Sequence, residues 1–265
     1  MPKPGPFPQT SQTAAISDTP RGRRTRSAGA DPVAAFQGTR AVAVRAHGSG
    51  RRVAAAVLGE TRIRLVAVSR TLDAALLARW AAAAVAALEG HRAEIDRINV
   101  FPVADRDTGT NMLLTMRAAA AACGRDDALV TAAETLARGA LLGARGNSGV
   151  ILSQVLRGIA EAISEATAAA EGPYAGAVLT DALDRGARLA EKAVTRPQEG
   201  TVLTVLAAAA NGAAAARSDR LDAVAVAAVA AARTALRATP DQLPALGRAG
   251  VVDAGGFGLV VVLDA

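Results

Sequence analysis

The chain contains one cysteine, two histidines and few aromatic residues, 2% in all. Cys123 alone cannot close an intramolecular disulfide, and no Cys-x-x-Cys pair or His/Cys cluster suggests zinc, which fits a reducing, cytoplasmic setting. With two histidines, no Ser/His/Asp arrangement is identifiable; His47 and His91 carry no pattern, and Cys123 reads as a small buried apolar residue. No Gly-Lys-Ser/Thr occurs anywhere, which excludes a Walker A loop. No window of eighteen bulky apolar residues exists, so no membrane span is expected. The opening MPKPGPFPQT lacks a basic stretch followed by an apolar one, which argues against a secretory signal.

What is abundant is alanine, the largest contributor to a hydrophobic fraction of 51% over 265 residues. That composition predicts a soluble, helix-rich protein with one core of respectable size. The charge is unevenly placed. Residues 1 to 70 carry 12 Lys/Arg and 3 Asp/Glu, leaving 18 basic and 21 acidic residues for positions 71 to 265. The basicity therefore belongs to the tail, and a nucleic-acid partner is not expected of the main domain.

Six of the eleven prolines fall in the first 32 residues, beside RGRRTRS, a composition that cannot offset its ordering entropy by burial. A disordered, basic tail is expected there, in preference to the transit peptide it weakly resembles. Residues 41 to 70 alternate Val, Ile and Leu around HGSG without defining an element. From Thr71 the pattern becomes helical, with Leu72, Leu76, Leu77, Trp80 and Leu88 on one face. Breakers then delimit helices at about 71 to 98, 108 to 122, 127 to 142, 147 to 170, 175 to 195, 200 to 216, 218 to 238 and 255 to 264. The expectation is an all-α, eight-helix antiparallel bundle or barrel over residues 71 to 265, preceded by the tail.

Four polar, glycine-bearing loops, 99 to 111, 143 to 149, 196 to 201 and 248 to 257, precede the second, fourth, sixth and eighth helices. If helices alternate up and down, all four lie at one end and form a composite site. In the first, Asp105 and Asp107 are one residue apart, and the N–H groups of Thr108, Gly109, Thr110 and Asn111 open a helix. Paired carboxylates suit a hard cation, magnesium better than calcium because the EF-hand spacing fails, and the helix start suits an anion. The alternative is that Asp107 merely caps the helix and Asp105 is solvated. In the second, GARGNSGVILSQ, Asn147 and Ser148 begin an apolar run and Arg145 can meet a phosphate; an N-capped turn is the plainer reading. The third, RPQEGT, places Glu199 in a first helical turn, which the dipole favours without function. The fourth, GRAGVVDAGGFG, is too glycine-rich for a helix interior and allows close backbone approach.

INVFPVADRDTGTNMLLTM, GARGNSGVILSQVLRG, RPQEGTVLTVL and GVVDAGGFGL together resemble the nucleotide-binding L domain of the dihydroxyacetone kinase family, over about residues 72 to 265. The version most similar is the N-terminal domain of the ATP-binding subunit of bacterial fatty acid kinase. The resemblance implies an eight-helix barrel holding ATP or ADP with Mg²⁺ at one rim, and Asp105 and Asp107 as metal ligands. A third family aspartate lies shortly upstream, where the nearest polar residue is Asn99, the third metal-ligand candidate that the resemblance implies. It further implies that Thr108, Gly109, Thr110 and Asn111 face phosphate, that Asn147, Ser148, Thr201 and Val202 line the nucleotide, and that Arg248, Asp253, Ala254 and Gly255 complete the site, with Arg145 assisting transfer.

The implied activity is phosphoryl transfer to a substrate brought by a separate acyl-binding or dihydroxyacetone-binding protein; a homodimer is compatible, a membrane is not required. Two departures are visible. Arg106 stands where the family usually has glycine between the aspartates, and the sequence ends at VVVLDA, where the nucleotide-binding domain ends. The competing reading is therefore a truncated or degenerate module that holds nucleotide without catalysis.

Overall fold

The computed structural model describes residues 72–125, 127–169 and 176–265; the expectations for residues 1 to 70 lie outside them. Among the described residues there are nine helices and no strand: α1 Ala74–Ile98, α2 Thr108–Ala122, α3 Leu129–Gly143, α4 Gly146–Ala168, α5 Gly176–Ala193, α6 Val202–Ala215, α7 Leu221–Gln242, α8 Pro244–Ala249 and α9 Ala254–Leu263. Eight are long and correspond to the expected set, and the six-residue α8 is additional. No helix of the described residues is long and apolar enough to cross a membrane.

The helices α1 to α7 each bury one stripe. In α1, Asp73 caps the N-terminus by accepting the Leu76 N–H at 2.6 Å, and Leu77, Ala81, Ala84, Leu88 and Ile95 recur at helical spacing on the buried face. The helices α1 to α7 pack each against the next, and α9 packs on α1 and α2 at one side and α6 and α7 at the other, closing the ring. In α9, Gly256 through Val262 are buried on every face, as a helix apolar all round must be. Trp80 ties α1 to it by donating its indole N–H to the Val262 carbonyl at 3.2 Å.

Two expectations change. The helix placed at 218 to 238 continues to Gln242 through Pro240. Proline removes the N–H that would bond the Leu236 carbonyl, but the Thr239 hydroxyl donates to that carbonyl at 2.8 Å, so the last turn survives. The fourth stretch, read as too glycine-rich for a helix interior, has Gly255, Gly256 and Gly258 inside α9, whose start Asp253 caps by accepting the Gly256 N–H at 2.7 Å. Those glycines are needed for close packing. A Cβ on Gly256 would lie 2.8 Å from Val205 Cγ2, and one on Gly258 would lie 2.4 Å from Met112 Sδ.

At one end of the ring, Leu72, Leu76, Trp80, Leu179, Leu221 and Leu263 line an apolar cavity of about 440 Å³. An Arg233–Asp264 ion pair of 2.6 Å lies beside it.

Candidate nucleotide and cation site

The four loops form a continuous series of contacts. The second meets the first: the Arg145 N–H donates to Thr115 Oγ1 at 3.2 Å, and a Cβ on Gly146 would lie 2.5 Å from Asn111 Nδ2. The first helix pair meets α9 through Met112 against Gly258 and through His91, edge-on to Phe257 with ring centroids 5.7 Å apart. The fourth meets the third through Asp253, whose carboxylate accepts N–H bonds from Gly256 at the start of α9 and from Val202 at the start of α6. One buried carboxylate thus caps two helices and joins two loops. Its own amide donates to Thr239 Oγ1 at 3.0 Å, which links the pair to the end of α7.

Asp105 is exposed and Asp107 half-buried on the loop before α2. Asp107 occupies the N-cap position but makes no capping hydrogen bond. Among the described residues neither carboxylate has a hydrogen-bond or ion-pair partner. The capping work is done by residues of α1 and the loop behind it. Asn99, 3% exposed, accepts the Thr108 N–H at 3.1 Å and the Thr108 hydroxyl, and donates to the Val103 carbonyl at 2.8 Å. Asp96, 9% exposed, accepts the Thr110 N–H at 2.9 Å and its hydroxyl at 2.8 Å. The Asn111 N–H bonds the Asp107 carbonyl at 2.7 Å. Of the four N–H groups proposed from the sequence to face an anion, only that of Gly109 has no acceptor among the described residues.

Gly109 itself is required: a Cβ there would come within 2.6 Å of the Arg92 carbonyl, so α2 starts directly against the last turns of α1. Asn99 has both its oxygen and its amide engaged in closing the loop.

The other named positions divide by exposure. Asn147 is exposed and Ser148 half-buried in the first turn of α4, which begins at Gly146 with Arg145 at the N-cap. Thr201 and Val202 are buried, with the Thr201 hydroxyl donating to the Gln198 carbonyl at 2.8 Å. Ala254 is buried, Gly255 half-buried, and Asp253 is 5% exposed with its carboxylate turned to the two helix ends. Burial pushes the Asp253 carboxyl up to about 6, against the lowering effect of its two N–H donors. Arg106, Arg145, Arg196 and Arg248 are exposed on the four loops, and none is ion-paired among the described residues. Unpaired cations and unpaired carboxylates on one set of loops suit a ligand that carries both signs, such as a phosphate chain with its metal.

The donor set fits magnesium. Among the described residues no three His, Cys, Asp or Glu side chains converge into a complete cage. A small cation bound by one or two carboxylates, completing its shell with water and phosphate oxygens, needs none.

Arg106 adopts φ of 59°, the left-handed region that penalises every side chain but glycine's. This is the position where the resembling family usually has glycine. Arg106→Gly removes a penalty of about 1–2 kcal/mol and adds about 0.5–1 kcal/mol of unfolded-state entropy. The variant is therefore expected to be more stable by roughly 0.5–1 kcal/mol, a rise of a few degrees in Tm. An unchanged or lower Tm would mean that the arginine side chain makes compensating contacts.

The fold is a closed ring of antiparallel helices in which the four loops are joined by a series of contacts and the first of them carries a carboxylate pair. Residues 102–265 match the DAK2 domain family, and the chain belongs to it. It is 40% identical over 199 residues to protein YloV of Bacillus subtilis, covering 74% of this chain and 35% of that protein. It is 36% identical over 195 residues to an uncharacterized Staphylococcus saprophyticus protein, covering 72% and 34%. The chain thus spans about a third of the length of these relatives. Among solved structures, the dihydroxyacetone kinase of C. freundii in complex with AMP-PNP and Mg²⁺ superposes with a TM-score of 0.54 at 19% identity, over 78% of this chain and 36% of that one. The shared feature at that identity is the fold.

Two residues that matter to the site, Asp96 and Thr115, were not singled out from the sequence. One signal existed for the first. Asp96 lies in the last turn of α1, where the helix dipole disfavours an acid, a placement that points to favourable partners, here Arg92 at 3.4 Å on its own helix and the start of α2.

Proposed function

We propose that this chain is the nucleotide-binding domain of a magnesium-dependent kinase, transferring the γ-phosphoryl group of ATP to a substrate held by a separate protein. The acceptor class is a fatty acid or dihydroxyacetone. The observation that carries this reading is the carboxylate pair Asp105 and Asp107, left unpartnered at a helix mouth where ordinary capping would have engaged them. Asp105 and Asp107 would hold the cation, with Asn99 fixing the loop behind them. Arg145 and Arg248 offer charge to the phosphates, and Thr108 to Asn111, Asn147, Ser148, Thr201, Val202 and Asp253 to Gly255 shape the rim around the nucleotide. When bound, magnesium offsets charge on the phosphate oxygens, so the protein's task is positioning rather than nucleophilic attack.

The family membership, the mixed-charge rim and a fold shared with an AMP-PNP-binding kinase support this reading. A second reading, a module that holds ADP or ATP without turnover, is favoured by one observation, the arginine in place of a turn glycine at position 106.

The test is the thermal midpoint of the full chain with ATP, with and without Mg²⁺, beside an Asp105→Ala/Asp107→Ala variant. Ligand at about 100 times its Kd should contribute about 2.7 kcal/mol, a rise of several degrees. The rise should need Mg²⁺ and vanish in the variant. No rise in the parent protein would remove the functional reading. A rise without phosphoryl transfer to any acyl- or dihydroxyacetone-carrying protein would select the non-catalytic module.

A further inference from the structure

We propose that Asp96 and Asn99 are positioning residues that cap α2 from outside, and thereby keep the Asp107 carboxylate free for a cation. This rests on the nucleotide-kinase reading above. A helix leaves its first N–H groups without internal partners, and a side-chain acceptor at the N-cap ordinarily takes one of them. Asp107 has the residue type and the position for that task but does not perform it. The Thr108 N–H goes instead to Asn99 at 3.1 Å and the Thr110 N–H to Asp96 at 2.9 Å.

Both surrogate caps are buried, a placement that is costly for polar groups unless their bonds are made. Both are also fully engaged. Asp96 receives two bonds from Thr110 through its two oxygens. Asn99 receives Thr108 and donates to Val103 on the opposite limb of the loop. An acid at the C-terminal end of α1 opposes that helix's dipole; Arg92, one turn back on the same helix at 3.4 Å, offsets part of that, and the N-terminus of α2 complements the charge across the helix pair.

The consequence is a competition. If Asp96 is lost, the Thr110 N–H becomes an orphan, and Asp107, in the ordinary N-cap position for it, can cap the helix. Capping then draws on the same carboxylate as the cation. A residue that only stabilised the fold would lower Tm without changing the Mg²⁺ requirement. A residue that frees Asp107 changes the Mg²⁺ requirement through Asp107 alone.

The experiment measures ADP binding to the full chain by calorimetry over a Mg²⁺ titration, for the parent, Asp96→Ala, Asp96→Asn, Asp107→Asn and the Asp96→Ala/Asp107→Asn double variant. Asp96→Ala is expected to raise the Mg²⁺ concentration for half-maximal binding roughly tenfold, the equivalent of one helix cap. Asp96→Asn keeps an acceptor for Thr110 and should restore most of that. In the Asp107→Asn background, Asp96→Ala should have no further effect on the Mg²⁺ dependence. Should Asp96→Ala fail to fold, Asp96→Asn carries the same test with a smaller shift, because it gives up the charge and one of the two acceptor oxygens that Thr110 uses. A metal-free readout accompanies these: hydrogen exchange at Thr110 should stay slow in Asp96→Ala and become fast in an Asp96→Ala/Asp107→Ala variant, in which residue 107 offers no acceptor. Effects of Asp96 and Asp107 that multiply independently, or an unchanged Mg²⁺ requirement in Asp96→Ala, would overturn the inference while leaving the functional reading intact. A parent protein with no Mg²⁺-dependent ADP binding would overturn both.

Discussion

Alanine at Gly158 is expected to lower the thermal midpoint of the full chain by roughly 10 °C, a loss of about 3 kcal/mol for a domain of this size. Gly158 of α4 faces Gly186 of α5. A Cβ on Gly158 would lie 2.4 Å from the Gly186 nitrogen, 2.7 Å from its Cα and 2.8 Å from the Ala182 carbonyl oxygen. All three are backbone atoms of a packed helix, so no side chain can swing aside. The two helices must separate, and every alanine contact along their shared face loosens with them.

Two neighbouring substitutions give the comparison its force, because all three gain the same helix propensity of about 1 kcal/mol on replacing glycine by alanine. At Gly186 the added Cβ would be 3.2 Å from Val155 Cα, tight but close to tolerable, so the gain and the crowding should nearly cancel. Gly90 is exposed in α1 with nothing within 4 Å of the added atom, and Gly90→Ala should raise stability by about 1 kcal/mol. The expected order of Tm is Gly90→Ala above the parent, Gly186→Ala near it, and Gly158→Ala well below. If Gly158→Ala matched Gly186→Ala, the close α4–α5 crossing would be wrong. Because α4 also carries Asn147 and Ser148 in its first turn, the crossing fixes one wall of the rim as well as the core.

The features legible from sequence were those set by local chemistry. Helical periodicity from Thr71 onward, broken by Gly, Pro and Asp, was enough to place eight long helices, and counting them was enough to expect four loops at one end. The features missed depended on contacts between distant segments. Nothing local says that the Thr239 hydroxyl will satisfy the carbonyl freed by Pro240, so the helix was ended too early. Nothing local says that Asp253 will cap two helices, so the stretch read as too glycine-rich for a helix interior, although Gly256 and Gly258 are helix positions pressed against Val205 and Met112. At the carboxylate pair the sequence left two readings open, a solvated cap and a cation site. Residues outside the motif bear on that choice, since Asp96 and Asn99 occupy the capping role that the plainer reading assigns to Asp107.

Asp253 supplies the largest pH effect. Its carboxyl titrates near 6 in the folded chain because burial disfavours the charge, against an ordinary value of 3.8. The native state therefore holds this proton to higher pH than the unfolded chain does. Between about pH 4 and pH 6 the folded form binds more protons, so stability falls as the pH rises through that window and returns on acidification. The native state at pH 7 carries a cost of roughly 3 kcal/mol on this account. Asp253→Asn cannot ionise and keeps one oxygen to accept a helix N–H, so it should abolish this component. The informative measurement is the difference in unfolding free energy between parent and variant at a series of pH values, in which other titrating groups cancel. The parent should gain about 2–3 kcal/mol relative to the variant between pH 7 and pH 4. A flat difference would mean that the Val202 and Gly256 N–H donors hold the carboxylate ionised in spite of its burial. In that case the charge itself, shared between two helix N-termini, would be what locks the third and fourth loops together.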